Sequence, residues 1–156
     1  LASLPPGAVP ARLYLSGTLA EDPPLPPALL QRSQLAYPYE LPHRLEPRLL
    51  RLNVWLSARG LEQAHPHIQA NTNFALAQAG EALMHMVDNF QRDYFIERIE
   101  HAVENSLAPS TYPHPALGPG QRFASKGCHI VQAAALKEGR ADVEDEWIVP
   151  EWSPAR

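Results

Sequence analysis

The stretch Ala11-Arg-Leu-Tyr-Leu-Ser16 decides the fold class of this chain. Up to Gly17 its apolar residues alternate with polar ones or follow one another, which is typical of a short buried strand. We expect that strand at residues 12–16. The stretch Gln34-Leu-Ala-Tyr-Pro-Tyr39 predicts a second short strand. Because Pro38 lacks an N–H donor for the sheet, it favours an edge or the end of this second strand.

Three helices are predicted next, because apolar residues recur at helical spacing. The first starts at Pro47 and stops at Gly60, a residue type common at helix C-termini. The second covers Ala70–Asn89, and the side chains of Asn71–Asn73 are expected to cap its start. The third covers Arg92–Asn105. In the second helix the apolar stripe is expected to comprise Phe74, Ala77, Leu83, Met84 and Val87.

The last third of the chain predicts a loop and two more strands. Six prolines and glycines within Pro109–Gly120 exclude regular structure there. Compact apolar strands are predicted at Cys128–Ala133 and Glu146–Val149, paired across a reversal at Lys137–Asp145. The order of two strands, three helices and two strands is α/β. Since only two strands precede the helices, we expect the sheet to be completed by another chain or by an absent N-terminal part.

The composition excludes several classes of partner. The chain has 13 Lys and Arg against 17 Asp and Glu, a net charge of -4, which offers no broad positive field for nucleic acid. No run approaches the roughly 18–20 apolar residues of a membrane helix, so no membrane-spanning segment is expected. Residues 1–10 lack the charged and apolar regions of a targeting peptide, and a chain that starts at Leu1 is expected to be a processed or cleaved product.

The histidines do not form a complete metal site. His65-Pro-His67 resembles a metal-binding pair, and Glu81 with His85 has the i, i+4 spacing of two ligands on one helix face. Both sets lack a third ligand at a defined spacing, so surface histidines are the simpler interpretation. No metal and no cofactor are expected.

Residues that would support catalysis are also missing from the sequence. Cys128 is the one cysteine, so an internal disulfide is excluded. Neighbouring residues of a strand point to opposite faces, so His129 is poorly placed to take the proton of the Cys128 thiol. No serine nucleophile elbow, phosphate-binding glycine loop or zinc-protease helix occurs. The sequence therefore favours a binding protein and not an enzyme.

Five segments occur in an order that is typical of one known family. They are Leu13-Tyr-Leu-Ser-Gly-Thr-Leu19, Leu35-Ala-Tyr-Pro-Tyr-Glu-Leu41, and the segments at residues 71–83, 92–100 and 117–131. This succession resembles the C-terminal half of periplasmic solute-binding proteins of the branched-chain amino-acid and amide transport type.

The resemblance implies a type I periplasmic-binding fold. That fold is Rossmann-like and two-lobed, a three-layer α/β sandwich, and it would be incomplete here without an N-terminal part. The resemblance also implies how the C-terminal portion is divided. Residues 1–40 would give a strand of the second lobe and a connector, residues 41–108 a helical segment, and residues 109–156 a loop and the closing strands.

Candidate binding residues lie where the first two predicted strands end. Ser16, Gly17 and Thr18 stand at a strand end, where ligands of open α/β sheets lie, so they are candidates to bind a small polar solute. An ordinary turn is the alternative. Tyr37 and Tyr39 are two residues apart and face one side of a strand, so they are candidate walls of the same cleft. A half-buried core pair is the alternative for them.

Phe74 is the sixth candidate, because it could reach the same cleft from a helix, although core packing also explains it. The resemblance implies that the chain binds an amino-acid-like or amide-like solute between two lobes in the periplasm, without catalysis. It would pass the solute to the permease of an ABC transporter or to a periplasmic partner. The alternative is a ligand-free interaction subunit of a periplasmic redox or transport assembly, which the 17 prolines and the incomplete sheet favour.

Overall fold

The computed structural model describes residues 10–19, 25–88, 90–106, 108–118, 121, 123–140 and 147–150. Within these residues the protein is a mixed α/β chain with a three-stranded sheet and five α-helices, so the predicted α/β class is confirmed. The strands are β1 (Leu13–Ser16), β2 (Ser33–Tyr37) and β3 (His129–Gln132). The helices are α1 (Pro27–Leu30), α2 (Pro42–Ala58), α3 (Pro66–Met84), α4 (Arg92–Val103) and α5 (Ala133–Lys137), and Gly17–Leu19 form a short 3-10 turn.

The chain divides into two compact units. The first unit combines Leu1–His43 with Gly127–Arg156 and contains the sheet. The second unit is Arg44–Lys126 and contains most of α2 with all of α3 and α4.

The sheet of the first unit has β2 at its centre. β1 runs parallel to β2, with Leu15 opposite Leu35, and β3 runs antiparallel to β2, with Val131 opposite Leu35. Alternate residues of a strand share one face, and the alternate residues Ser33, Leu35 and Tyr37 of β2 are buried. Leu35 and Tyr37 form the core together with Leu41, Val131 and Ala133.

The strand boundaries follow the proline signal closely. β1 starts one residue later than predicted. β2 starts one residue earlier than predicted and ends at Tyr37, two residues before the predicted Tyr39, because Pro38 has no N–H donor for the sheet. Tyr39 therefore lies beyond the strand and not on it.

Of the two predicted closing strands, the first is confirmed as β3, although its last predicted residue, Ala133, begins α5. The second is not a strand within the described residues 147–150, where Ile148 forms only a single antiparallel bridge with Cys128. Glu146 and residues 141–145 of the predicted reversal lie outside the described residues. The helix α5, which lies between β3 and this reversal, was not predicted.

The helix α2 begins at Pro42, five residues before the predicted start, and Pro47 lies inside it. Proline at the first position presets the helical φ angle. The buried residues Leu49, Leu52 and Leu56 then form one helical stripe, which also contacts Ala70 and half-buried Leu45. The three buried leucines all follow Pro47, so their burial stabilises the helix after the proline, and Pro47 costs the turn before it one backbone hydrogen bond.

The helix α3 corrects two predictions. It begins at Pro66, so Asn71 and Asn73 lie within the helix and do not cap it. Its buried residues are Ala70, Gln78 and Ala82, so the predicted stripe is wrong: Ala77, Leu83, Met84 and Val87 are exposed and Phe74 is half-buried. A helix that is apolar on most sides gives no periodicity that selects one face. The third predicted helix is confirmed as α4, which packs against α3 and ends two residues early.

Gly80→Ala is expected to stabilise the second unit. Gly80 lies inside α3, and a Cβ added there has no atom within 4 Å. Glycine in a helix interior costs about 0.5–1 kcal/mol relative to alanine, so the free energy of unfolding should rise by that amount in urea denaturation. Gly60→Ala is the matched control: its neighbourhood is equally open but its φ of 65° disfavours alanine, so it should destabilise. A loss of stability in Gly80→Ala would contradict the assignment of the helix.

Candidate functional site

The predicted residues Ser16, Gly17 and Thr18 lie at the carboxyl end of β1. The side chains of Ser16 and Thr18 are exposed, and their hydroxyl oxygens are hydrogen-bonded to each other at 2.8 Å. Gly17 is buried against the end of β2, because a Cβ at this position would lie 3.0 Å from the carbonyl oxygen of Ala36 and 3.0 Å from the Cα of Tyr37. The glycine therefore permits the close approach of the turn to the sheet.

The predicted tyrosines lie beside this turn. The rings of Tyr37 and Tyr39 meet edge to face, with centroids 5.4 Å apart. Tyr37 belongs to the buried core, and Tyr39 is half-buried and packs against it. Five of the six predicted residues therefore share the first unit, all of them within two residues of the ends of two parallel strands, whereas the sixth, Phe74, belongs to the second unit. Their role in binding stays a prediction.

The second unit contains a cavity of about 350 Å³ that Phe74 lines. Three elements contribute to its wall. Arg48 comes from α2, Phe74 from α3, and Val103 with Glu104 from the end of α4. The rest of the wall is the loop after α4, which we call the proline loop (residues 106 and 108–115). It contributes Ser106, Ala108, Pro109, Ser110, Tyr112, Pro113 and Pro115.

Side-chain hydrogen bonds fix the conformation of the proline loop. The hydroxyl oxygen of Ser106 accepts a hydrogen bond from the backbone N–H of Ala108 at 3.1 Å, and that of Ser110 accepts one from Tyr112 at 3.0 Å. In turns of this kind, side-chain oxygens bind backbone N–H groups that have no partner in a helix or a sheet. The hydroxyl of Thr111 donates to the Oδ1 of Asn71 at 2.6 Å, which ties the loop to α3. Asn71 therefore anchors the cavity wall, a role that the predicted cap did not foresee.

The cavity combines two opposite charges with two aromatic rings. Arg48 and Glu104 are exposed, so their charges face water at the edge of the cavity. Phe74 and Tyr112 are half-buried and supply apolar surface with one polar phenol group. The sequence reasoning missed Arg48, Glu104 and Tyr112. The sequence feature closest to these residues is the pair Ser106 and Ser110 in the proline loop. Each serine hydroxyl accepts a hydrogen bond from the backbone N–H two residues later in the chain.

A second recess of about 410 Å³ lies beside the first and shares Ala108 and Pro109 with it. Its other lining residues include Trp55 and Asn73. The guanidinium of Arg59 lies 4.1 Å from the ring centroid of Trp55, a cation–π contact that covers one face of the indole.

The groups that suggested metal binding or nucleophilic chemistry have ordinary surroundings. Among the residues that the structure describes, no group of three or more His, Cys, Asp or Glu side chains could hold a metal ion. Burial raises the pKa of the Cys128 thiol, so the thiolate is disfavoured at neutral pH. His129 is buried in β3, and its ring meets that of Trp147 edge to face at 4.9 Å.

None of the helices in the described part of the chain combines the length and apolar character needed to cross a bilayer. No protein-family model, curated protein or solved structure matches this chain.

Proposed function

We propose that this chain binds a small polar solute of the amino-acid or amide type and performs no chemistry on it. The observation that carries this proposal is the cavity of the second unit, which brings Arg48 and Glu104 together with Phe74 and Tyr112. Its volume of about 350 Å³ lies in the range of small-molecule pockets. Such pockets combine apolar walls with a few polar groups that orient the ligand.

The two charges suit the two ends of such a solute. The planar guanidinium of Arg48 has five N–H donors, enough to serve a neighbour in the chain and also a carboxylate or carbonyl oxygen. The carboxylate of Glu104 accepts hydrogen bonds from an ammonium or amide N–H. Phe74 and Tyr112 then cover the carbon skeleton between these ends.

We further propose the setting that the family resemblance implies. The chain would form part of a two-lobed periplasmic receptor, with another polypeptide completing the sheet and the lobes closing over the solute. Support comes from the parallel pair β1 and β2, whose carboxyl ends carry Ser16, Thr18 and the two tyrosines. The permease of an ABC transporter or a periplasmic sensor would receive the solute.

Arg48→Ala is expected to weaken solute binding roughly tenfold, because hydrogen bonds to a charged partner are worth about 1.5 kcal/mol or more. Isothermal titration calorimetry with L-leucine, L-phenylalanine and L-leucinamide measures this. Arg44→Ala is the matched control, since Arg44 is an exposed arginine of the same helix that does not line the cavity. Circular dichroism checks that each variant is folded. A folded wild-type protein that takes up none of the three solutes would refute the proposal.

A ligand-free interaction subunit of a periplasmic redox or transport assembly is the second candidate. The observation that favours it is the apolar outer surface of α3 and the residues after it, where Ile68, Leu76, Met84 and Val87 are all at least 65% exposed. Exposed apolar side chains in such number are typical of protein interfaces. Native mass spectrometry separates the two candidates: a stable stoichiometric complex without an exchangeable solute favours the interaction subunit.

A further inference from the structure

Ser106 presents an oriented hydroxyl at the wall of the cavity. Its oxygen accepts two hydrogen bonds, one from the side-chain Nε2 of Gln78 and one from the backbone N–H of Ala108. A serine hydroxyl has two acceptor lone pairs and one O–H donor, so both lone pairs are occupied. With the Nε2 of the Gln78 amide directed at Ser106, the O–H has no acceptor among the described residues, and it is the remaining group with which Ser106 can bind a solute in the cavity.

Gln78 lies behind this serine and outside the lining of the cavity. It occupies the buried face of α3 between Ala70 and Ala82, and it is only 3% exposed. An apolar side chain would suit such a position, because a buried amide must satisfy its donors and its acceptor. The Oε1 of Gln78 is buried and has no hydrogen-bond partner in the described part of the chain. The bond to Ser106 is thus the interaction that distinguishes glutamine from an apolar residue here.

We infer that Gln78 is a positioning residue that fixes the hydroxyl of Ser106 as a hydrogen-bond donor to the solute. This inference rests on the proposed function. A hydroxyl that accepts two hydrogen bonds is polarised and donates more strongly. Arg48 also offers donors only, so the cavity has two groups that select a carbonyl or carboxylate oxygen. Gln78 thereby sets which polar end of a solute binds next to the proline loop, although it does not touch the solute.

The test compares two probes with the same carbon skeleton. Benzylacetone offers a carbonyl oxygen and no donor, and the primary amine of that skeleton offers only donors when it is protonated. Affinities of both probes are measured by calorimetry for the wild-type protein and for Gln78→Met, Gln78→Glu and Ser106→Ala. The readout is the ratio of the two affinities, which a purely structural role of Gln78 would leave unchanged.

Gln78→Met should reduce the affinity for benzylacetone about fivefold and leave the affinity for the amine unchanged, because the O–H of Ser106 is then free to rotate. Gln78→Glu should reverse the preference, since a carboxylate accepts the O–H and turns a lone pair of Ser106 toward the cavity. Ser106→Ala should cause a similar loss, and adding Gln78→Met to it should cause no further loss. Gln69→Met is the control, since Gln69 belongs to the same helix and does not line the cavity, and it should keep the wild-type ratio.

The outcomes separate this inference from the function beneath it. A wild-type protein that binds both probes, with a ratio insensitive to Gln78→Met, overturns the role of Gln78 and leaves the cavity as a binding site. A folded wild-type protein that binds neither probe overturns this inference, and one that also takes up none of L-leucine, L-phenylalanine and L-leucinamide overturns the proposed function as well. Gln78→Met and Ser106→Ala decide the question alone if the buried charge prevents Gln78→Glu from folding.

Discussion

Leu35→Ala is expected to lower the free energy of unfolding of the first unit by about 3 kcal/mol, since truncation of a buried leucine costs about 2–5 kcal/mol. Leu35 is 1% exposed and lies on the central strand, with Leu15 opposite it on β1 and Val131 opposite it on β3. The truncation therefore leaves a cavity where both strand pairs meet, and the rigid sheet relaxes little around it. Urea denaturation followed by circular dichroism measures the loss.

Leu50→Ala is the matched control for this prediction. Leu50 is 62% exposed on α2, so its truncation should change the free energy of unfolding by less than about 0.5 kcal/mol. If the two substitutions proved equally mild, Leu35 would not be a core residue and the sheet would not have β2 at its centre.

Gly127→Ala is expected to destabilise the first unit by about 2 kcal/mol, in the range of overpacked sites. A Cβ at Gly127 would lie 2.5 Å from the carbonyl oxygen of Ile148 and 2.6 Å from the Nε1 of Trp147. The carbonyl cannot move away easily, because it accepts the N–H of Cys128 at 3.0 Å while the N–H of Ile148 donates back at 2.9 Å. The methyl group should therefore break this bridge.

Hydrogen exchange gives the local readout of that substitution. The amides of Cys128 and Ile148 should exchange faster in Gly127→Ala, while the amides of β2 keep their protection. Gly118→Ala serves as the control, since the nearest atom to its added Cβ is the Oε1 of Gln121 at 3.9 Å. Unchanged protection of the two bridge amides in Gly127→Ala would disprove the close packing of this segment.

Alternation and proline predicted the first two strands well. The apolar residues before Gly17 and the position of Pro38 placed β1 and β2 within one or two residues, because both signals act locally on the backbone. The starts of α2 and α3 were missed for different reasons. Proline suits the first position of a helix, so Pro47 predicts a helix start, whereas α2 begins at Pro42 and contains Pro47. The predicted apolar periodicity of α3 starts at Ala70, four residues after Pro66, where the helix begins.

The candidate site was harder to predict, because it depends on the proline loop. Prolines remove periodicity, so nothing in the pattern of this loop indicates that the hydroxyls of Ser106 and Ser110 bind its backbone N–H groups. Arg48, Phe74 and Glu104 are 26 and 30 residues apart along the chain, and only the packed helices bring them to one cavity. Phe74 is one of the six predicted site residues, but the prediction placed it in an interlobe cleft together with Ser16 and Tyr37.

The proline loop has a consequence for the thermodynamics and the rate of association. Pro109, Pro113 and Pro115 restrict the backbone, and the serine turns and the Thr111–Asn71 bond hold what the prolines leave free. The conformational entropy of this wall is thus lost when the polypeptide folds. Little further entropy is lost by the wall when a molecule binds from solution. If the proposed solute binds here, this preorganisation lets its occupancy follow a changing concentration without the delay of a disorder-to-order step.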